Sequence, residues 1–388
     1  MPRPRPRPAL PFFATAAPGL EHITAAELTS LGISPIEIDP GGVSFGGTLG
    51  ALYRANLHLR TATRVLARLG EFEARHFADL EKQAKQQPWT DLLTAKRAVR
   101  LRVTCKKSKL YHSDAVAQRI AGAIEHAVGR APRSTKSDED EEGDADAQLV
   151  IVRLLHDRCT LSVDSSGALL HRRGYRLQTA KAPLRETLAA AMLMASGWTS
   201  EAPLLDPMCG AGTIAIEAAW MARRIAPGSR REFAFAHWPR FDGALWQRMV
   251  DSARARELPR APAPIIASDR DAGAIAAAAA NAERAGVTAD VEFSRRALSA
   301  ITPPAARGWL VTNPPYGVRV GDKRALRDLY AQFGNVARRS CPGWSVSLLS
   351  ASAELERQIG LPLAVAFKTR NGGVPVRLLT AVVPGEAG

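Results

Sequence analysis

Apolar positions change their period several times along the first 165 residues. The run PFFATA (11–16) is strand-like. Leu20, Ile23, Leu28 and Leu31 follow near helical spacing, and ISPIEID (33–39) leads to Gly41-Gly42 as a second strand. A second helical stripe, Leu49, Leu52, Tyr53, Leu57 and Leu59, precedes strand-like RVLARLGEFEA (64–74). This pattern predicts a small α+β module of βαββαβ type. Residues 77–165 predict helices over 77–84 and 114–128 and strands over 99–105, 149–156 and 159–165. From about residue 182 strands and helices alternate, which is the mark of a parallel α/β sheet. The strands are expected at 203–206, 264–269, 289–294, 308–313 and 344–350, with a late pair at LAVAFK and VRLLTAVV. Helices are expected over 213–224, 272–285, 324–339 and 353–358.

Composition adds a partner class. The 388 residues carry 52 Lys and Arg against 38 Asp and Glu, a net charge of +14. Seven of those carboxylates fall in residues 138–146 (DEDEEGDAD), within a charged, apolar-poor run at 137–148 that reads as a disordered surface loop. Both halves of the remaining chain are basic, so a polyanion such as RNA is the first expectation. A basic enzyme that binds no nucleic acid is the alternative. Residues 1–10, where Pro alternates with Arg, read as an extended basic tail. No apolar run reaches the roughly 18 residues of a membrane span and no signal-peptide core is present, so a cytoplasmic protein with no membrane partner is expected. Cys105, Cys159, Cys209 and Cys341 are far apart, with no metal-ligand spacing, and no metal is expected.

Two strand ends carry the chemistry. Asp206-Pro207-Met208-Cys209-Gly210-Ala211-Gly212-Thr213 places an acid, a glycine-rich turn and the first residue of an apolar helix after a short strand, an arrangement that brings backbone close to a nucleotide-like ligand. The third glycine of a dinucleotide site is missing, and Asp206 suits a cationic or hydroxylated ligand better than a pyrophosphate. Asn313-Pro314-Pro315-Tyr316 follows the strand GWLVTN. The Asn313 side-chain oxygen and the Pro314 carbonyl offer two acceptors to an –NH2 group, while the Tyr316 ring can stack on a base. Two acceptors favour pyramidal nitrogen and stabilise charge as a methyl group arrives, which is catalysis by placement and electrostatics. A bare turn is the alternative reading of either motif.

DPMCGAGT with NPPYG resembles the class I methyltransferases that use S-adenosylmethionine and methylate exocyclic amines. With LHRRGYR (170–176), APLRETLAAAML (182–193) and FDGALW (241–246), the chain is similar from Phe12 to Pro384 to the guanine-N2 methyltransferases of the ribosomal RNA large subunit methyltransferase L family. The resemblance implies an α/β fold: a Rossmann-like domain at 167–388 with a mostly parallel seven-stranded sheet, preceded by a ferredoxin-like module at 11–68 and a THUMP-like RNA-binding domain at 69–166. It implies S-adenosylmethionine as cofactor, held by the 206–213 segment, by Asp269 at the ribose and by Asn313, with Asp271 a second ribose candidate whose other reading is a helix cap. Asn313, Pro314, Pro315 and Tyr316 receive the base. The acid that family members carry after the third strand is absent, because Val291–Ile301 has no carboxylate after Glu292.

Lys106, Lys107 and Lys109, with Tyr111 and His112, form an RNA-backbone candidate whose other reading is a solvated loop. Arg172, Arg173 and Arg176 could grip phosphate or line a solvated linker. The segment 221–262, with Trp238, Phe241 and Trp246, is expected to cover an edge of the catalytic domain. The substrate expected is large-subunit ribosomal RNA, with transfer RNA, DNA and a noncatalytic RNA-binding role as the alternatives.

Overall fold

The computed structural model describes residues 10–130, 133–134, 147–176, 184–316 and 323–385. Residues 1–9 and the acidic run 138–146 lie outside them, and with them those two expectations. The chain divides into two compact units, each of which takes in a segment from the other's part of the sequence.

The first unit holds the described residues within 1–16, 25–170 and 231–250. Its elements are β1 (Leu10–Ala16), α1 (Glu21–Ser30), β2 (Ile36–Asp39), β3 (Gly42–Gly47), α2 (Leu49–His58), β4 (Ala62–Glu73), α3 (Phe77–Lys85), β5 (Val99–Lys106), α4 (Ser113–Val128), β6 (Arg133–Ser134), β7 (Gln148–Leu155) and β8 (Arg158–Asp164). The first six have the βαββαβ order read from the periodicity. All eight strands form one sheet, in the order β2-β3-β1-β4-β8-β7-β5-β6. The sequence suggested a boundary near residue 68, but that position lies inside β4, which pairs with β1 along its first half and with β8 along most of its length. A single long strand, bulged between Arg68 and Gly70, thus joins both modules into one surface. The acidic run also ends earlier than its charge suggested: Gln148 opens β7, is buried, and accepts a hydrogen bond from Trp238 Nε1 at 2.9 Å.

Trp238 belongs to the segment expected to cover the catalytic domain. Residues 231–250 instead complete the first unit's core, where Phe235 stacks on Tyr53 at 4.6 Å between centroids and Trp246 meets both edge-on. The aromatic side chains explain this placement, since a large apolar cluster goes where its rings find rings of complementary geometry.

The second unit holds the described residues within 17–24, 171–230 and 251–388. It contains α5 (Glu186–Ala195), β9 (Leu204–Asp206), α6 (Thr213–Ala222), β10 (Ile265–Asp269), α8 (Ala272–Ala285), β11 (Val291–Arg295), β12 (Trp309–Thr312), α9 (Lys323–Ser340), β13 (Ser345–Ser350), α10 (Ala353–Ile359), β14 (Ala364–Asn371) and β15 (Val374–Val382), while α7 (Gly243–Arg254) spans the division. The sheet order is β11-β10-β9-β12-β13-β15-β14, parallel except for β15, which runs antiparallel to both neighbours. Helices α5, α6 and α8 bury one face and α9 and α10 the other. The order reverses at β9, whose two neighbours are β10 and β12, so a crevice opens at the carboxyl ends of these strands, where such sheets bind ligands. Both chemical motifs leave the sheet there.

Candidate active site

β9 delivers Asp206 to the crevice floor, where it is 1 % exposed. Its Oδ1 accepts from the Thr312 hydroxyl at 2.7 Å and from the Met208 N–H at 3.3 Å. Burial pushes this carboxyl up to about 7; the Thr312 and Met208 hydrogen bonds pull it down, and the negative charge of Asp269 adds to the rise. Thr312 immediately precedes Asn313, so this one bond ties the glycine-rich turn to the N-P-P-Y segment. Thr312 was not singled out from the sequence; a threonine before the motif has no period or charge to betray it.

The turn itself depends on two glycines for different reasons. Gly212 caps α6 at φ +81°, and a Cβ there would press on Ala278 at 3.0 Å and the Phe293 ring at 3.2 Å. Gly210 has φ +51° but open space around its missing side chain, as a backbone meant to meet a ligand requires. Its N–H donates to Asp269 Oδ2 at 3.0 Å, and Asp269 Oδ1 accepts from the Asp271 N–H at 3.0 Å. A carboxylate has about four acceptor sites, so Asp269 keeps capacity for the hydroxyls of a ribose. Asp271 performs the other job read for it: its Oδ1 accepts from the Gly273 and Ala274 N–H groups and caps α8. Asn281 on α8, also unforeseen, donates to the Ala211 carbonyl at 3.0 Å and pins the turn from behind. Burial and the charges of Asp206 and Asp269 push the Cys209 thiol up, which removes it as a thiolate nucleophile.

At the end of β12 the Asn313 side-chain oxygen is buried and has no hydrogen-bond partner among the described residues. Pro314 is buried and Pro315 exposed. Tyr316 packs against the core on the α5–α6 face, and its phenol oxygen accepts from Asn371 Nδ2 at 2.8 Å. Burial raises the Tyr316 phenol above its ordinary range, with the Asn371 bond opposing, so it is neutral at physiological pH. A buried orphan acceptor is costly unless a donor arrives, and an amine is such a donor.

The arginines at 172–176 do not act as one cluster. Arg173 is 2 % exposed, and its Nε faces Glu217 on α6 at 3.4 Å. Arg176 pairs with Glu186 at 3.3 Å and donates from Nη2 to Thr213 Oγ1 at 2.7 Å and to the Leu184 carbonyl at 2.8 Å. These two side chains brace the helix that follows the glycine-rich turn and are turned into the fold toward the buried acids Glu217 and Glu186, not out toward solvent. Arg172, immediately before Arg173, is exposed. In the first unit Lys106, Lys107 and Lys109 are all exposed at the end of β5, beside Tyr111, which is 69 % exposed.

A doubly wound sheet with an antiparallel seventh strand, a glycine-rich turn after the strand at its switch point and an orphan acceptor at the end of the adjacent strand is the class I methyltransferase architecture. Family models agree: residues 11–66 match the RlmL ferredoxin-like domain, 74–164 the THUMP domain and 173–379 the RMKL-like methyltransferase domain. Among curated relatives, the chain is 38 % identical over 372 residues to "Putative RNA methyltransferase slr0064" of Synechocystis, covering 95 % of this chain and 96 % of that one. It is equally 38 % identical to ribosomal RNA large subunit methyltransferase K/L of Syntrophotalea carbinolica, covering 95 % of this chain but 53 % of the relative, so the chain spans about half the length of the K/L proteins it matches. Two crystal structures superpose closely. SMU.472 complexed with SAH has a TM-score of 0.85 at 29 % identity, covering 99 % of this chain and all of that one. A predicted N6-adenine-specific DNA methylase from Listeria monocytogenes has 0.86 at 34 %, covering 97 % of each. The chain belongs to the RMKL-like methyltransferase family, whose cofactor is S-adenosylmethionine.

Proposed function

We propose that this protein methylates the exocyclic N2 of a guanosine in large-subunit ribosomal RNA. The buried Asn313 oxygen, unpartnered among the described residues, carries the reading. When bound, S-adenosylmethionine supplies an electrophilic methyl group on a positively charged sulfur. Asp206, Met208, Cys209, Gly210, Ala211, Gly212 and Thr213 would hold its amino-acid side and Asp269 its ribose. The Asn313 Oδ1 and the Pro314 carbonyl accept the two amine hydrogens, which localises the nitrogen lone pair toward the methyl donor, and Tyr316 stacks on the base. The methylated nitrogen is acidic enough to lose its proton to water, so the site requires no strong base. A paired guanine cannot present N2 in line, so the base must be turned out of its stack.

The exposed lysines at the end of β5 with Tyr111, and exposed Arg172, support an RNA backbone contact led by charge and shape. DNA as substrate would leave a THUMP domain without a role. Mass-spectrometric mapping of ribosomal and transfer RNA from cells lacking the protein tests the reading: N2-methylguanosine should vanish at one large-subunit position. Loss from transfer RNA instead would move the substrate, and loss of methyladenosine would move the base. Asn313→Ala should lower methyl transfer by at least ~100-fold while cofactor affinity, read by calorimetry, stays within about threefold.

A further inference from the structure

Asn371 closes β14 and is 7 % exposed. Asparagine is depleted in strands, and a buried amide needs a partner to offset its lost hydration. Here the partner is Tyr316, 55 residues away, at 2.8 Å. The amide is delivered from a stiff arm. Asn371 pairs with Val374 across Gly372 (φ +54°) and Gly373 (φ +84°), the two positive angles that a two-residue hairpin turn of this kind requires. Behind the tip, Phe367, Val376 and Leu378 are buried in the core. Gly19 passes so close to β14 that a Cβ there would collide with the Lys368 carbonyl. Since the amide nitrogen donates, the phenol oxygen accepts and the Tyr316 hydroxyl hydrogen stays available for another partner.

We propose that Asn371 is a positioning residue for methyl transfer, fixing the Tyr316 ring in the orientation that receives the target base. The inference rests on the reading above that the Asn313–Tyr316 segment binds the base. An unheld ring can swing, and a misplacement of about 1 Å at a reacting centre costs on the order of 100-fold. The test uses the full chain, S-adenosylmethionine and ribosomal RNA from cells lacking the protein. Asn371→Ala and Tyr316→Phe should each lower kcat by ~10-fold or more at saturating cofactor, with cofactor affinity by calorimetry within about twofold of wild type. The double variant should be no slower than the slower single one, because both changes remove the same bond. Unchanged kcat in Asn371→Ala overturns the proposal, and so do multiplicative losses in the double variant. If Asn371→Ala fails to fold, Tyr316→Phe alone decides, since it removes the bond without touching the hairpin, and wild-type kcat there overturns it. Wild-type enzyme that methylates no RNA overturns the parent reading as well, an outcome distinct from active wild type with indifferent variants.

Discussion

Two buried acids near the cofactor turn, Asp206 and Glu186, are both pushed up to about 7, mainly by burial. In the unfolded chain they titrate near 4. Between about pH 4 and 7 the folded protein therefore holds protons that the unfolded chain has released. The stability they contribute is full below about pH 4 and is lost as pH rises through 7. Thermal unfolding of the ligand-free protein should reflect this: Glu186→Gln should flatten the fall in Tm between pH 5 and 8 relative to wild type, and an unchanged slope would show that Glu186 is already ionised. Asp206 has a functional counterpart to this behaviour. A neutral carboxyl with a midpoint near 7 ionises when a cation binds beside it, so cofactor binding at pH 6.5 should release protons, seen in calorimetry as a heat that depends on the buffer's ionisation enthalpy. Thr312, which donates to Asp206, tunes that midpoint, and Thr312→Val should raise it.

At the level of elements, the chain trades segments between its units. Residues 231–250 lie between α6 and β10 in sequence, yet their rings fill the first unit's core, with Phe233 and Phe235 stacked at 5.1 Å and Phe241 against Tyr53 at 5.9 Å. Phe235 is 1 % exposed, and Phe235→Ala should cost about 3–5 kcal/mol. Limited proteolysis should then cut the first unit ahead of the second; the reverse order would mean that the aromatic segment serves the catalytic sheet. Arg173 gives the matching test in the second unit. Replacing it by Ala leaves Glu217 buried without this pairing cation and should destabilise by about 3–5 kcal/mol, whereas a phosphate-gripping arginine would lose RNA affinity and little stability.

Over the whole molecule, charge is the coarse organiser. The balance of +14 includes seven carboxylates in residues 138–146. Removing those nine residues, and stopping short of Gln148, which β7 needs, should tighten RNA binding and leave turnover unchanged. Filter binding across roughly 50–200 mM salt should show a steep loss of affinity for both proteins; weaker binding by the deletion would mean that the acidic run helps to receive RNA. No helix among the described residues is long and apolar enough to cross a membrane.

Much of this was legible in one dimension. Hydrophobic period placed α8 at residues 272–285 as observed and most of the catalytic strands within two residues, because burial of one face repeats with the element's own geometry. The two strand-end motifs were equally visible, since tight turns and paired acceptors demand rare residues at fixed spacing. What the sequence could not show was which side chains meet across the fold. Arg173 and Arg176 look like Arg172 until Glu217 and Glu186 claim them. Phe233 and Phe235 belong to one unit by sequence and to the other by packing. Thr312 bears no pattern until it stands 2.7 Å from Asp206, and Asn371-Gly372-Gly373 reads as a hairpin turn but gives no sign that Asn371 stands 2.8 Å from Tyr316. Periodicity is a property of neighbours along the chain, whereas partners 42 to 189 residues apart, from Tyr175 and Glu217 to Tyr53 and Asp242, are chosen by the packed interior alone.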